Sequence, residues 1–92
     1  MTRDQAKYVS ESDRVRDYVY RSYIVPARAI KAASITVNAR DVYRALHFKN
    51  RNRISLVCDA LAAVKFQTQC GIRLLQRSGR KHGANATFTF SI

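Results

Sequence analysis

A chain of 92 residues, 47% of them hydrophobic with four Phe and five Tyr, is one domain with enough apolar mass for a modest core and too much for a disordered coil. Lys and Arg number 17 against 6 Asp and Glu, a formal +11; a chain this cationic repels itself and calls for a polyanionic partner, nucleic acid first and an anionic membrane surface second. No stretch approaches the ~20 apolar residues of a membrane span and MTRDQAKYVSESDR lacks a signal-peptide apolar run, so a cytoplasmic, nucleoid-associated or nuclear location with no membrane partner is expected.

Residues 1–11 are polar and without period, an N-terminal arm, and residues 12–92 form the single domain. From Ser12, a candidate cap, Val15, Tyr18, Val19, Ser22 and Tyr23 share one face, predicting a helix that Pro26 ends or kinks. Residues 12–25, with Tyr18, Tyr20 and Tyr23, are the candidate contact of a homodimer if those rings are exposed, and core if they are not. Ala27 to Ala33 reads equally as a further helical turn or a linker. Ser34-Ile35-Thr36-Val37 is β-branched, a short strand feeding directly into Asn38.

Two helices joined by a tight turn follow. Ala39, Val42, Tyr43 and Leu46 recur at helical spacing behind Asn38 as cap, with Asp41 at the capping-box position. His47 to Asn50 turns the chain without a glycine, and Asn50 is the candidate cap of a second helix over residues 51–66. On that helix Ile54, Leu56, Val57, Ala60, Leu61 and Val64 lie on one half of the wheel. Arg51, Asn52, Ser55, Cys58, Asp59, Ala62 and Ala63 lie on the other, small or polar and basic at the N-terminal end.

The period then changes. Residues 72–77 and 86–92 read as strands, the second alternating with Ala86, Phe88, Phe90 and Ile92 on one face. SGRKHGAN between them, residues 78–85, makes a β-hairpin with a basic tip. Residues 42–92 hold nine basic groups and one acidic, whereas residues 1–41 hold eight and five, so the charge excess sits on the helix pair and the hairpin.

The order helix, strand, helix, turn, helix, hairpin, carried by ITVNARDVYRAL, HFKN, RNRISLVCDALAAVKF and IRLLQRSGRKHGANATFTFSI, resembles the winged helix-turn-helix superfamily. That resemblance implies an α+β fold of three helices with a small antiparallel sheet ending in a wing. It also implies double-stranded DNA binding, with helix 51–66 in the major groove and the wing at 77–82 along the backbone or minor groove. The residues expected to meet DNA are Lys49, Asn50, Arg51, Asn52, Arg53, Ser55, Arg77, Arg80, Lys81 and His82. Arg51 can pair with guanine, Asn52 with adenine and Ser55 with a base or phosphate, while the others anchor phosphates. Asp59 repels phosphate and limits the contacting surface, unless it accepts from a cytosine or pairs with an arginine. With no room for a ligand domain, the chain reads as a small transcriptional regulator or a chromosomal packaging protein, the +11 charge favouring the second.

Small winged-helix ribosomal proteins share this order and charge, which makes RNA binding the alternative, and a basic protein-interaction module a further one. Against RNA, no aromatics suited to stacking on unpaired bases stand on the basic face. Cys58 and Cys70 form no CxxC pair, so no metal, no cofactor and no disulfide is expected. The sequence has no phosphate loop, paired carboxylates or patterned nucleophile, and an enzyme is not expected. Asn85-Ala86-Thr87 fits a glycosylation pattern but carries no weight without a secretory route.

Overall fold

The computed structural model describes residues 10–48, 53–79, 83 and 85–92. It is an α+β domain whose first helical stretch is α1 (Glu11–Val19), a π-helical segment (Tyr20–Ile24) and α2 (Val25–Ala29), joined without a break. The cap is Ser10 rather than Ser12. Its hydroxyl accepts from the Asp13 N–H at 3.1 Å while the Asp13 carboxylate accepts from the Ser10 N–H at 3.4 Å, a complete capping box that starts the helix at Glu11. Pro26 does not end the helix. The π segment absorbs it: the Val25 N–H bonds to the Tyr20 carbonyl five residues back, and the misfit of a residue without an N–H falls on a widened turn.

The stretch ends in a Schellman motif. The Ala32 N–H bonds to the Ala27 carbonyl at 2.9 Å and the Lys31 N–H to Arg28 at 3.0 Å, with Lys31 left-handed at φ 60°. Strand β1 (Ser34–Asn38) then runs straight into α3 (Ala39–Ala45), where the Asn38 side chain accepts from the N–H groups of Arg40 at 2.9 Å and Asp41 at 3.3 Å. Helix α3 ends the same way. The Phe48 N–H bonds to Tyr43 at 3.4 Å and the His47 N–H to Arg44 at 3.1 Å, His47 takes φ 58°, and the Tyr43 and Phe48 rings meet at 6.0 Å as the motif's apolar clasp. His47 thus supplies the left-handed residue that the glycine-free turn needs.

The helix expected over residues 51–66 is two helices: α4 (Arg53–Ala62) and α5 (Val64–Cys70), broken at Ala63, whose ψ of 137° is extended. Four helical stretches therefore stand among the described residues where three were expected. Continued helically, Phe66 would fall about 120° round the wheel from Ile54, on the polar side beside Asp59. The break lets Phe66 turn inward to full burial and swings Val64 out to 74% exposure.

Strands β2 (Arg73–Ser78) and β3 (Thr87–Ser91) complete an antiparallel sheet of order β1-β3-β2, with the last strand in the middle. Leu75 bulges out between Leu74, opposite Phe90, and Gln76, opposite Thr89, and the Gln67 side chain receives the Leu74 N–H at 3.0 Å. One face of the sheet is hydroxylic, with Thr36 and Thr89 bonded at 3.1 Å and Ser78 paired with Thr87. The other carries Val37, Phe88 and Phe90 into a core shared with Val15, Val19, Ile24, Val42, Val57, Leu61 and Phe66, where the rings of Phe66 and Phe90 meet edge-on at 5.5 Å. Tyr18 and Tyr23 stack edge to face against this core at 6.2 Å, so the tyrosines do not form an exposed row; Tyr20 is 37% exposed.

Candidate nucleic-acid interface

The candidate interface lies where α3, α4 and the hairpin meet. At the end of the sheet that carries the hairpin, Asn38 pairs with Thr87, and the Ala39 N–H reaches the Ala86 carbonyl at 2.9 Å. Arg40, in the first turn of α3, donates to the Asn85 carboxamide oxygen at 3.0 Å. Inside the hairpin turn the Gly83 carbonyl accepts from the Ala86 N–H at 3.1 Å and from the Cys58 thiol of α4 at 3.7 Å. The hairpin turn therefore rests directly on α4.

Cys58 was expected on the small and polar half of its helix. It is fully buried under that turn, and the buried arc of α4 runs through Val57, Cys58, Ala60 and Leu61, leaving Leu56 and Ser55 half-buried and Asp59 exposed. Burial pushes the Cys58 thiol above its ordinary pKa, the nearby Arg77 charge pulls it back, and Asp59 adds to the rise. Arg77 pairs across the ladder with Phe88 and lays its guanidinium 5.0 Å from that ring's centre, on the side of the sheet that faces α4.

Arg53 opens α4 and forms an ion pair with Glu11 of α1 at 2.9 Å, so one expected phosphate anchor is shared with a carboxylate. From α1, Arg14 braces the helix-to-helix turn, donating to the Leu46 carbonyl at 3.4 Å with its guanidinium 5.4 Å from the Phe48 ring centre. Of the expected contact residues, Arg53, Ser55 and Arg77 are described, with Arg53 and Ser55 on α4 and Arg77 beside it on the hairpin. Lys49, Asn50, Arg51, Asn52, Arg80, Lys81 and His82 lie outside the described residues.

Two members of the cluster were missed from sequence. Arg40 was counted in the acid-rich half of the chain and Asn85 only as part of the hairpin loop and of a glycosylation pattern, yet the two tie α3 to the hairpin. The available signal was position: Arg40 follows a helix cap that closes a strand, and Asn85 borders the strand that had to pair with it. Among the described residues no three His, Cys, Asp or Glu side chains gather as a metal site, and no helix is long and apolar enough to cross a membrane. No family model matches this chain, and neither does any curated protein or solved structure.

Proposed function

We propose that the chain is a winged-helix-type protein that binds double-stranded DNA, setting the N-terminal part of α4 into the major groove and laying the basic hairpin tip along the backbone. The observation that carries this is the seating of the hairpin on α4, the Cys58 thiol against the Gly83 carbonyl at 3.7 Å with Arg40 bonded to Asn85 alongside. That seating brings Arg77 and the described part of the hairpin up to α4, and the hairpin sequence continues through Arg80, Lys81 and His82. A strand leading into α3, then α4 and a closing hairpin whose second strand is central also fit the winged-helix plan.

Helix α4 spans ten residues, about 15 Å, and Asp59 stands exposed about two-thirds of the way along it. A carboxylate there repels phosphate, which restricts contact to the turns before it. The work of affinity then falls mainly on phosphate contacts, which position the protein without reading sequence. A small packaging protein fits that balance better than a highly selective regulator. Titrations of duplex DNA, duplex RNA and single strands at one salt concentration test the proposal, with duplex DNA expected tightest. Preference for RNA would transfer the same surface to RNA, and no binding near physiological salt would assign it to an acidic protein partner.

A further inference from the structure

The sheet carries cations at both ends. At the end away from the hairpin, Arg73 pairs across the ladder with Ser91, and the Ile92 N–H bonds to the Ala33 carbonyl at 3.1 Å, which brings the segment around Lys31 to the same place. Arg28 joins them, donating to the carbonyls of Cys70 at 2.7 Å and Gly71 at 3.3 Å, just before β2. Lys31 and Arg73 are exposed, and no Asp or Glu side chain occurs in residues 18–40 or 60–92, the segments that build this end. The carboxylates that line one cleft with Arg28, those of Asp13 and Asp17, are paired with Arg16 at 2.8 Å and Arg21 at 3.1 Å. Lys31 also holds a left-handed conformation, φ 60°, that glycine adopts without steric cost, and it presents a cation where the fold alone would be better served by glycine.

We propose that this end is a second duplex contact, so that one copy of the chain bridges two DNA segments; this rests on the DNA-binding function proposed above. Four steps along β3 separate the two ends by about 14 Å, more than the ~8 Å Debye length at physiological salt. A duplex on the hairpin side therefore leaves the Lys31 and Arg73 charges unneutralised and free to take a second one. Arginine's planar fork at positions 28 and 73 suits phosphate oxygens.

The test uses the full chain, one duplex tethered to a bead and a second, dye-labelled duplex in solution, alongside a titration of single-duplex affinity against salt. The wild type retains the labelled duplex. The variant K31N/R73Q, whose Asn tolerates the left-handed position, loses retention by about 30-fold at ~0.15 M salt, the worth of two phosphate contacts, with single-duplex affinity and salt slope unchanged. Undiminished retention in the variant, or a wild type that binds one duplex and retains none, would overturn the second site. So would a salt slope that falls in step with retention, since both duplexes would then use one surface. Vesicles rich in phosphatidylserine that bind the wild type but not the variant, with no duplex bridged, would assign this end to a membrane and overturn it as well. A wild type that binds no single duplex at all is read separately in the titration and removes the DNA-binding function itself.

Discussion

Gly79, where β2 turns into the hairpin tip, is the position at which fold and interface can be broken by one methyl group. Its φ is +84°, and a Cβ built there would stand 2.8 Å from the Asn85 carbonyl oxygen and 2.9 Å from the Ala86 Cα, both backbone. Gly71, at the end of α5, shares the left-handed conformation at φ +66°, but its Cβ would meet nothing closer than the flexible end of Arg28 at 3.8 Å. Gly71→Ala therefore carries only the conformational penalty, about 1 kcal/mol after the entropy saved in the unfolded chain. Gly79→Ala carries the same penalty plus overpacking of about 1–3 kcal/mol, roughly 2–4 kcal/mol in total. In a domain of this size that lowers the melting temperature by at least about 8 °C. The overlap falls on Asn85 and Ala86, which hold Arg40 and Ala39, so the hairpin should also lose its hold on α3 and, through Gly83, on α4. Thermal melts of both variants, with duplex affinity measured against salt, check this. If the tip cations Arg80 and Lys81 drop out, the log–log slope shrinks by about 2. Equal losses for the two glycines, or a Gly79→Ala slope unchanged at full affinity, would refute the reasoning.

Further outcomes follow from the same contacts. Arg77→Ala should weaken all duplex sequences alike and reduce the salt slope by about 0.9, whereas Arg51→Ala should cost roughly 1–3 kcal/mol and relax preference at one base pair if it reads guanine; binding selections on random duplexes separate the two. In native protein Cys70, partly exposed, should react with a thiol reagent at least about tenfold faster than Cys58, fully buried beneath the hairpin turn, as mass spectrometry of the labelled peptides would show. Asp13 is held below its usual 3.8, chiefly by the hydrogen bond from Arg16, which outweighs the rise from desolvation, with the hydrogen bonds to Ser10 adding to the lowering. Because the folded state is the weaker proton binder, this stabilisation is present above the unfolded value and is lost as pH falls through the folded one, so acid unfolding below about pH 4 should be shallower in Asp13→Asn.

Elements governed by local chemistry were legible in the sequence. Asn38, the β-branched run before it and the alternation Ala86, Phe88, Phe90 each act through neighbours a few residues away, and they fold as read. The rest needed tertiary terms. Nothing at Ala63 is a helix breaker, yet Phe66 was out of phase with the apolar face of Val57 and Leu61, and burying one aromatic ring outweighs a few helical hydrogen bonds. Cys58 was misplaced because a helical wheel has no means of showing a hairpin folding back over it. Ser10 and Ser12 both satisfy the rule for a cap, and only the carboxylate of Asp13, three residues after Ser10, decides between them. Of the site, the basic residues ahead of α4 and in the hairpin were readable, whereas the contacts that hold the hairpin to α3 through Arg40 and Asn85 and to α4 through Gly83 were not.

His47 offers a last separation of stability from function. It occupies the left-handed position that closes α3, φ 58°, in a motif whose two hydrogen bonds and Tyr43–Phe48 clasp use none of its side-chain atoms. Replacing it with glycine removes a conformational penalty of about 1–2 kcal/mol and adds unfolded-state entropy of about 0.5–1 kcal/mol, for a net gain near 0.5–1 kcal/mol. The imidazole is exposed, in the segment that leads from α3 towards α4. If that turn lies against DNA, His47→Gly should melt higher and bind duplex more weakly, the trade expected where a strained residue is kept for its side chain. A higher melting temperature with unchanged affinity would take His47 out of the interface, and a lower one would mean that the motif at the end of α3 is not what sets the turn.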